Sequence, residues 1–120
     1  MSGTLTILLI SAEADRARAA LTLAMAAAAL GERVTLFAQE RAVAMLVPGA
    51  DTGDEALAAA GLPGRGDLLA MAAEAGVRLV ACQTGLALCG LAVEALADGV
   101  EAGGLVGVLA EASDGRIVVV

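Results

Sequence analysis

The stretch VRLVACQTGLALCGL, residues 77–91, changes character in its middle. Residues 77–82 form an apolar run broken by one arginine, which is typical of a strand buried on both faces. From Gln83 onward, leucines and glycines follow at helical spacing, and a short helix is predicted near 83–86. Cys82 is therefore expected to end a strand, with the first turn of a helix directly behind it.

The chain before this stretch has the same alternation. Residues 4–10 predict a strand, and Ser11 is a candidate N-cap for a helix that runs to about Leu30 and stops at Gly31. Residues 33–38 predict a second strand. Strand, helix and strand within about 35 residues make a βαβ unit, which implies parallel pairing and a right-handed crossover.

The remaining segments complete an alternating pattern over one domain, residues 1–120. Residues 47–66 hold both prolines, and we interpret them either as a lid near Cys82 or as a solvated connection. The other predicted elements are a short helix at 54–60, a helix from Asp67 to Gly76, a helical stretch at 93–97, a strand at 99–102, a helix at 104–113 and a strand at 116–120. This order predicts an α/β three-layer sandwich of flavodoxin-like type, with a mostly parallel sheet of about five strands and helices on both faces.

Composition excludes several classes of function. The chain carries a net charge of −7, and its seven basic residues are arginines spread singly, so a nucleic-acid partner is not expected. Residues 19–31, uncharged throughout, are shorter than the ~20 residues of a membrane span, so we expect no membrane partner. The apolar N-terminus has no basic residue before it, which argues against a secretory signal and for a cytoplasmic protein.

Metal and cofactor sites are not expected either. Two cysteines and no histidine are too few ligands for a zinc site. Neither G-x-G-x-x-G nor G-K-[ST] occurs, and the glycines of 99–107 fit a tight turn better than a nucleotide site. The cysteines of a cytoplasmic chain should be reduced.

Residues 23–30, LAMAAAAL, bear on assembly. They cover two helical turns without a polar residue on any face, and a helix that is apolar all round is usually buried all round. The stretch therefore predicts a homo-oligomer that uses this helix. The alternative is that alanine is small and tolerated on surfaces.

Cys82 is the candidate functional residue, because ligands of open parallel sheets bind outside the carboxyl ends of the strands. A helix N-terminus behind the sulfur favours an anion and so a thiolate open to solvent. We name the backbone N–H groups of Gln83 and Thr84, with Ser11 and Arg65, as candidates for binding that anion. The alternative is a structural cysteine, since free cysteine is often buried.

Cys89, the second cysteine, lies seven residues beyond Cys82. A regular helix between them would separate the sulfurs by about 10 Å, too far for a disulfide. Gly85 and Gly90 could interrupt that helix. Cys89 is thus either structural or a secondary thiol.

Two segments together carry a resemblance to a known family: DLLAMAAEAGVRLVACQTGLALCGL at 67–91 and DGVEAGGLVGVLAEA at 98–112. They resemble the DsrE/DsrF-like (TusD-like) family of sulfur-relay proteins, and most of all its members described as peroxiredoxin-like. The specific part is a strand ending in Ala-Cys-Gln, followed by a glycine-containing helix and then Asp-Gly-Val-Glu with a double glycine. Thr84 and Gly85 stand where relatives often carry methionine and serine, and Cys89 where methionine is common.

The resemblance implies a function and an assembly. Cys82 would accept sulfane sulfur as a persulfide and pass it to an acceptor thiol, without a cofactor. The partners would be sulfur donor and acceptor proteins or small thiols, and the chain would form trimers or hexamers. The alternative is a non-catalytic oligomeric binding module of the same fold, in which the cysteine is structural.

Overall fold

The computed structural model describes residues 3–120. The strands are β1 Thr4–Leu9, β2 Arg33–Ala38, β3 Arg78–Cys82, β4 Val100–Gly103 and β5 Arg116–Val119. The α-helices are α1 Ala14–Ala29, α2 Asp54–Ala59, α3 Arg65–Glu74, α4 Gln83–Cys89 and α5 Leu105–Glu111. Two 3₁₀ helices, Glu40–Leu46 and Val93–Ala95, lie in the connections.

The five strands form one sheet in the order β4-β3-β2-β1-β5. Every pairing is parallel, so the sheet predicted as mostly parallel is wholly parallel. The α/β sandwich expected from the alternation is confirmed. Because all strands run the same way, their carboxyl ends share one edge, and Cys82 lies on that edge at the end of β3.

The two faces of the sheet are covered differently. Leu5, Ile7 and Leu9 alternate along β1 onto one face and are fully buried there. Helix α1 packs on β1, on β2 and on α3. The connection from β4 to β5 runs back across the whole sheet, so a right-handed crossover places α5 on the opposite face.

Helix starts differ from the sequence predictions by a few residues. Helix α1 begins after Glu13, and the Ser11 hydroxyl accepts a hydrogen bond from the Glu13 N–H at 3.1 Å instead of capping the helix itself. Helix α3 begins after Gly64, which places Asp67 inside the first turn. An acid there still favours the helix, because it lies near the positive end of the dipole.

Helix α1 buries one stripe only. Its buried residues are Ala17, Ala20, Leu21, Ala24 and Ala27. Leu23 is 39% exposed, and Leu30, just beyond the helix, is 81% exposed. Alanine therefore lets the helix approach the sheet closely on one side while the other side remains uncovered in the single chain.

Candidate functional site

Cys82 is both the last residue of β3 and the N-cap of α4. Its backbone is extended, with φ −61° and ψ 124°, which is usual for a residue that opens a helix. It lies in register with Gly103 of β4. The strand-to-helix switch inferred from the sequence is confirmed at this residue, although α4 continues to Cys89 and not only to residue 86.

The Cys82 sulfur is hydrogen-bonded to the first turn of α4. The Gly85 N–H donates to Sγ at an N–S distance of 3.4 Å. The sequence predicts the N–H groups of Gln83 and Thr84 for this role, whereas the structure uses that of Gly85. The N-capping rule would have predicted the correct donor. An N-cap side chain accepts a hydrogen bond from the N–H of the second or third helical residue, and Gly85 is the third residue of α4.

Burial of Cys82 differs from the expectation. The sulfur was predicted to be open to solvent, but Cys82 is only 6% exposed. The prediction of an open thiol is wrong for the single chain, because Cys82 packs within the hydrophobic core. Gln83 and Thr84, the next two residues, are exposed.

Gly85 also determines how closely the 3₁₀ helix Glu40–Leu46 approaches the first turn of α4. A Cβ built on Gly85 would lie 2.2 Å from the Glu40 carbonyl oxygen and 2.7 Å from Val43 Cγ1. No side chain fits at those distances. The absence of a Cβ at residue 85 therefore lets the backbone of the 3₁₀ helix pack directly against the turn that donates to sulfur.

Glu40, on the other side of this contact, has an unusual backbone. Its φ is +55°, in the left-handed region that non-glycine residues seldom occupy. Such a conformation costs about 1–3 kcal/mol and persists only where surrounding contacts hold it. The close packing of the Glu40 carbonyl on Gly85 is one such contact.

Arg65 has partners other than a sulfur anion. Its side chain is buried, and Nε and Nη2 donate to the two oxygens of Asp51 at 2.9 and 3.2 Å. Nη1 donates to the carbonyl oxygens of Met45 and Val47 at 2.8 and 2.7 Å. These bonds hold the start of the 47–66 segment against α3. The segment is thus anchored at this end, as a connection between two elements would be.

The two remaining candidates are also placed. Ser11 follows the carboxyl end of β1, two strands away from β3 in the sheet, and its hydroxyl is used by Glu13. Cys89 is the last residue of α4 and partly buried, and both cysteines are free. Because α4 is continuous from Gln83 to Cys89, the glycines do not interrupt it.

Residues 3–120 contain neither a candidate metal cluster nor a helix that could span a membrane. In that range, no cluster of three or more histidine, cysteine, aspartate or glutamate side chains could hold a metal ion. None of the helices there has the length and apolarity needed to cross a bilayer.

Comparisons with known proteins support the fold independently. The chain is similar to the ychN protein from E. coli, with 19% identity, a TM-score of 0.79 and complete coverage of both chains. It is also similar to MTH1491 from Methanobacterium thermoautotrophicum, a protein of unknown function, with 15% identity, a TM-score of 0.77, and coverage of 98% of this chain and 99% of that one. No curated protein matches in sequence. The profile of the DsrE/DsrF-like family matches residues 5–120, and the chain therefore belongs to the DsrE/DsrF-like family.

Proposed function

We propose that this protein is a sulfur carrier that holds sulfane sulfur as a persulfide on Cys82 and passes it to an acceptor thiol. The supporting observation is the hydrogen bond from the Gly85 N–H to the Cys82 sulfur at the start of α4. This contact places the sulfur at the start of a helix, and the thiolate of such a cysteine is the nucleophile in sulfur exchange. The chain also belongs to a family known in sulfur relay, and this membership supports sulfur transfer as the reaction of the thiol.

The proposed reaction has two balanced steps. The Cys82 thiolate attacks the terminal sulfur of a donor persulfide, so that a new S–S bond forms and the donor leaves as a thiolate. An acceptor thiolate then attacks that terminal sulfur, which frees Cys82 as a thiolate again. No net oxidation occurs, and no cofactor is needed. Donor and acceptor are thiols of proteins or small molecules in the cytoplasm, where cysteines stay reduced.

Access to the sulfur requires a small opening at the carboxyl edge of the sheet. Cys82 is 6% exposed, so Sγ cannot reach the terminal sulfur of a donor persulfide until a neighbour moves. Gly103, the neighbour of Cys82 across the sheet, carries no side chain, and a Cβ built there would lie 2.8 Å from Val80 Cγ1, so Val80 is a side chain that must shift on the β4 side. We propose that donor and acceptor reach the sulfur between α4 and the end of β4.

The same burial favours a second candidate function. A cysteine that is buried in the core and hydrogen-bonded to the first turn of its own helix is typical of a structural N-cap. The protein would then be a non-catalytic binding module with an inert thiol. The two functions differ in one measurable property, the reactivity of Cys82 in the folded protein.

Intact mass after incubation with a small persulfide donor tests the carrier function. The wild type should gain about 32 Da, the mass of one sulfur atom, and the Cys82→Ser variant should not. Cys89→Ser is the matched control, because it removes the other thiol and should keep the adduct. An adduct that survives Cys82→Ser, or is absent from the wild type, contradicts the proposal.

Thiol labelling near pH 6 separates the two candidates directly. Fast modification of Cys82 in the folded protein supports a carrier. Modification only after addition of denaturant supports the binding module. Peptide mapping distinguishes Cys82 from the more exposed Cys89.

A further inference from the structure

A cavity of about 590 Å³ lies at the amino ends of β1, β2 and β3, at the edge of the sheet opposite to Cys82. Thr4, Arg33 and Arg78 line it, and each stands at the start of its strand. Glu111, the last residue of α5, also lines it, so the cavity lies on the face of the sheet that carries α5. Pockets for small molecules usually measure about 300–1,000 Å³. The cavity is therefore large enough for a ligand and separate from the sulfur site.

The floor of this cavity is polar, whereas the rest of the same sheet face is apolar. The register pairs Thr6 with Thr35 and Thr35 with Arg78, so these three side chains form a row across the sheet. Two residues farther along β2 and β3, the same face carries Phe37 and Val80, which are fully buried. Strands of a parallel sheet are usually apolar throughout, because both faces are covered. The polar residues are thus confined to the part of this face that borders the cavity.

The Thr6 hydroxyl points to a ligand. Thr6 is only 2% exposed and lines the cavity. Its hydroxyl has no hydrogen-bond partner among residues 3–120, and no side-chain nitrogen or oxygen of that range is both fully sealed and without a partner. The Thr6 oxygen therefore reaches the cavity surface. Because a hydroxyl removed from bulk water is unfavourable without a hydrogen bond, a polar group inside the cavity would stabilise it.

Arg33 is the charged residue of the cavity that lacks a partner of opposite charge within residues 3–120. The two carboxylates that line the cavity are both neutralised, since Glu111 pairs with Arg78 and Glu32 pairs with Arg116. A guanidinium group forms strong and often bidentate hydrogen bonds with carboxylate and phosphate oxygens. Threonine hydroxyls can donate to further oxygens of the same molecule. The cavity therefore offers one free positive charge beside a row of hydroxyl groups.

From these observations we propose that the cavity binds a small molecule that carries an oxyanion, a carboxylate or a phosphate group. The anionic group lies against Arg33, and the hydroxyls of Thr6 and Thr35 donate to its oxygens. An apolar ligand would leave these hydroxyls without partners, so it does not fit the site. The site is independent of the sulfur-carrier function, because Cys82 lies at the other end of β3, about 13 Å from Arg78 along the strand.

Titration of the ¹⁵N-labelled protein, followed by heteronuclear NMR, tests this proposal. The probes are inorganic phosphate, citrate and ribose 5-phosphate, with neutral ribose as the uncharged control. At least one of the three anions should shift the amide signals of residues 4–6, 33–35 and 76–78 saturably, and those of residues 82–85 should stay in place. Ribose should shift none of them. Tighter binding of ribose 5-phosphate or citrate than of inorganic phosphate would identify an organic ligand, and equal binding a free anion.

Three variants keep the test decisive, and their own spectra show whether they fold. Arg33→Gln should weaken anion binding about tenfold, and Thr6→Val, which keeps the shape of the side chain, about threefold. Arg41→Gln is the matched control, because it removes the same charge from an exposed arginine at the opposite edge of the sheet and should leave the affinity unchanged. No saturable shift with any anion, an equal response to ribose, or equal weakening by the two arginine variants would overturn the proposal. Cys82→Ser should bind like the wild type, so failure here is distinct from failure of the sulfur-carrier function.

Discussion

Gly85→Ala tests whether close backbone packing builds the sulfur site. The new Cβ would lie 2.2 Å from the Glu40 carbonyl oxygen, and ordinary van der Waals contact begins near 3.4 Å. One backbone or the other must therefore move by about 1 Å. Both are held by neighbours, since Val43 of the 3₁₀ helix is fully buried.

The expected cost follows from this geometry. Extra methyl groups in a packed core usually cost about 1–3 kcal/mol, and rigid backbone in the way argues for the upper end. With a urea m-value of about 2 kcal/mol/M, a loss of 2–3 kcal/mol lowers the unfolding midpoint by about 1–1.5 M. Urea titration followed by circular dichroism measures the shift.

Gly107→Ala is the matched control. Gly107 lies in α5, and a Cβ built there meets nothing within 4 Å. This change should raise the free energy of unfolding by about 0.5–1 kcal/mol, because alanine is the better helix former. If Gly85→Ala were as stable as the wild type, the close contact between α4 and the 3₁₀ helix would not exist as described.

Three other expectations concern the arginines. Arg65→Met should lower the free energy of unfolding by about 3–5 kcal/mol in a urea titration, because Asp51 would lose its partner in a pair whose side chains are 7% and 17% exposed. Arg16→Gln should change that free energy by less than about 0.5 kcal/mol, since its pair with Glu13 is 3.8 Å long and more than half exposed; an equal loss in both variants would contradict the difference in burial. In the folded protein, the hydrogen bond to Glu101 raises the pKa of Arg78 above the ordinary value for arginine. The stabilisation from this pair is therefore fully present at any pH below that ordinary value. It is lost only when the pH rises through the higher pKa of the folded protein. The difference in unfolding midpoint between wild type and Arg78→Gln should therefore be constant from about pH 7 to 10 but shrink in molar salt, and a decline with pH alone would contradict this account.

The fold could be predicted from the sequence because its signals are local. Alternation of apolar runs with helical spacing identified all five strands, and the right-handed crossover rule then placed the helices. Helix boundaries were less certain. Ser11 has the right side chain for an N-cap, but Glu13 takes that position, because several residues near a helix start can satisfy its free N–H groups.

The candidate site could be predicted only where its contacts are short in sequence. Cys82 and Gly85 are three residues apart, so a capping rule connects them. The burial of the sulfur could not be predicted, because it depends on how distant segments pack. Likewise, the anchoring of Arg65 by Met45 and Asp51 bridges up to 20 residues, and no local pattern indicates it.

Gly85 shows how a departure from the family pattern follows from such a distant contact. The resemblance places serine at this position in many relatives, yet here any Cβ would collide with the Glu40 carbonyl. In this chain the left-handed backbone of Glu40 and the missing Cβ of Gly85 belong together, because each permits the contact that the other requires. The double change Gly85→Ser with Glu40→Gly should therefore be less destabilising than the sum of the two single changes, since a glycine at residue 40 lets that carbonyl turn away. Strict additivity in urea titrations would show that the two residues do not depend on each other.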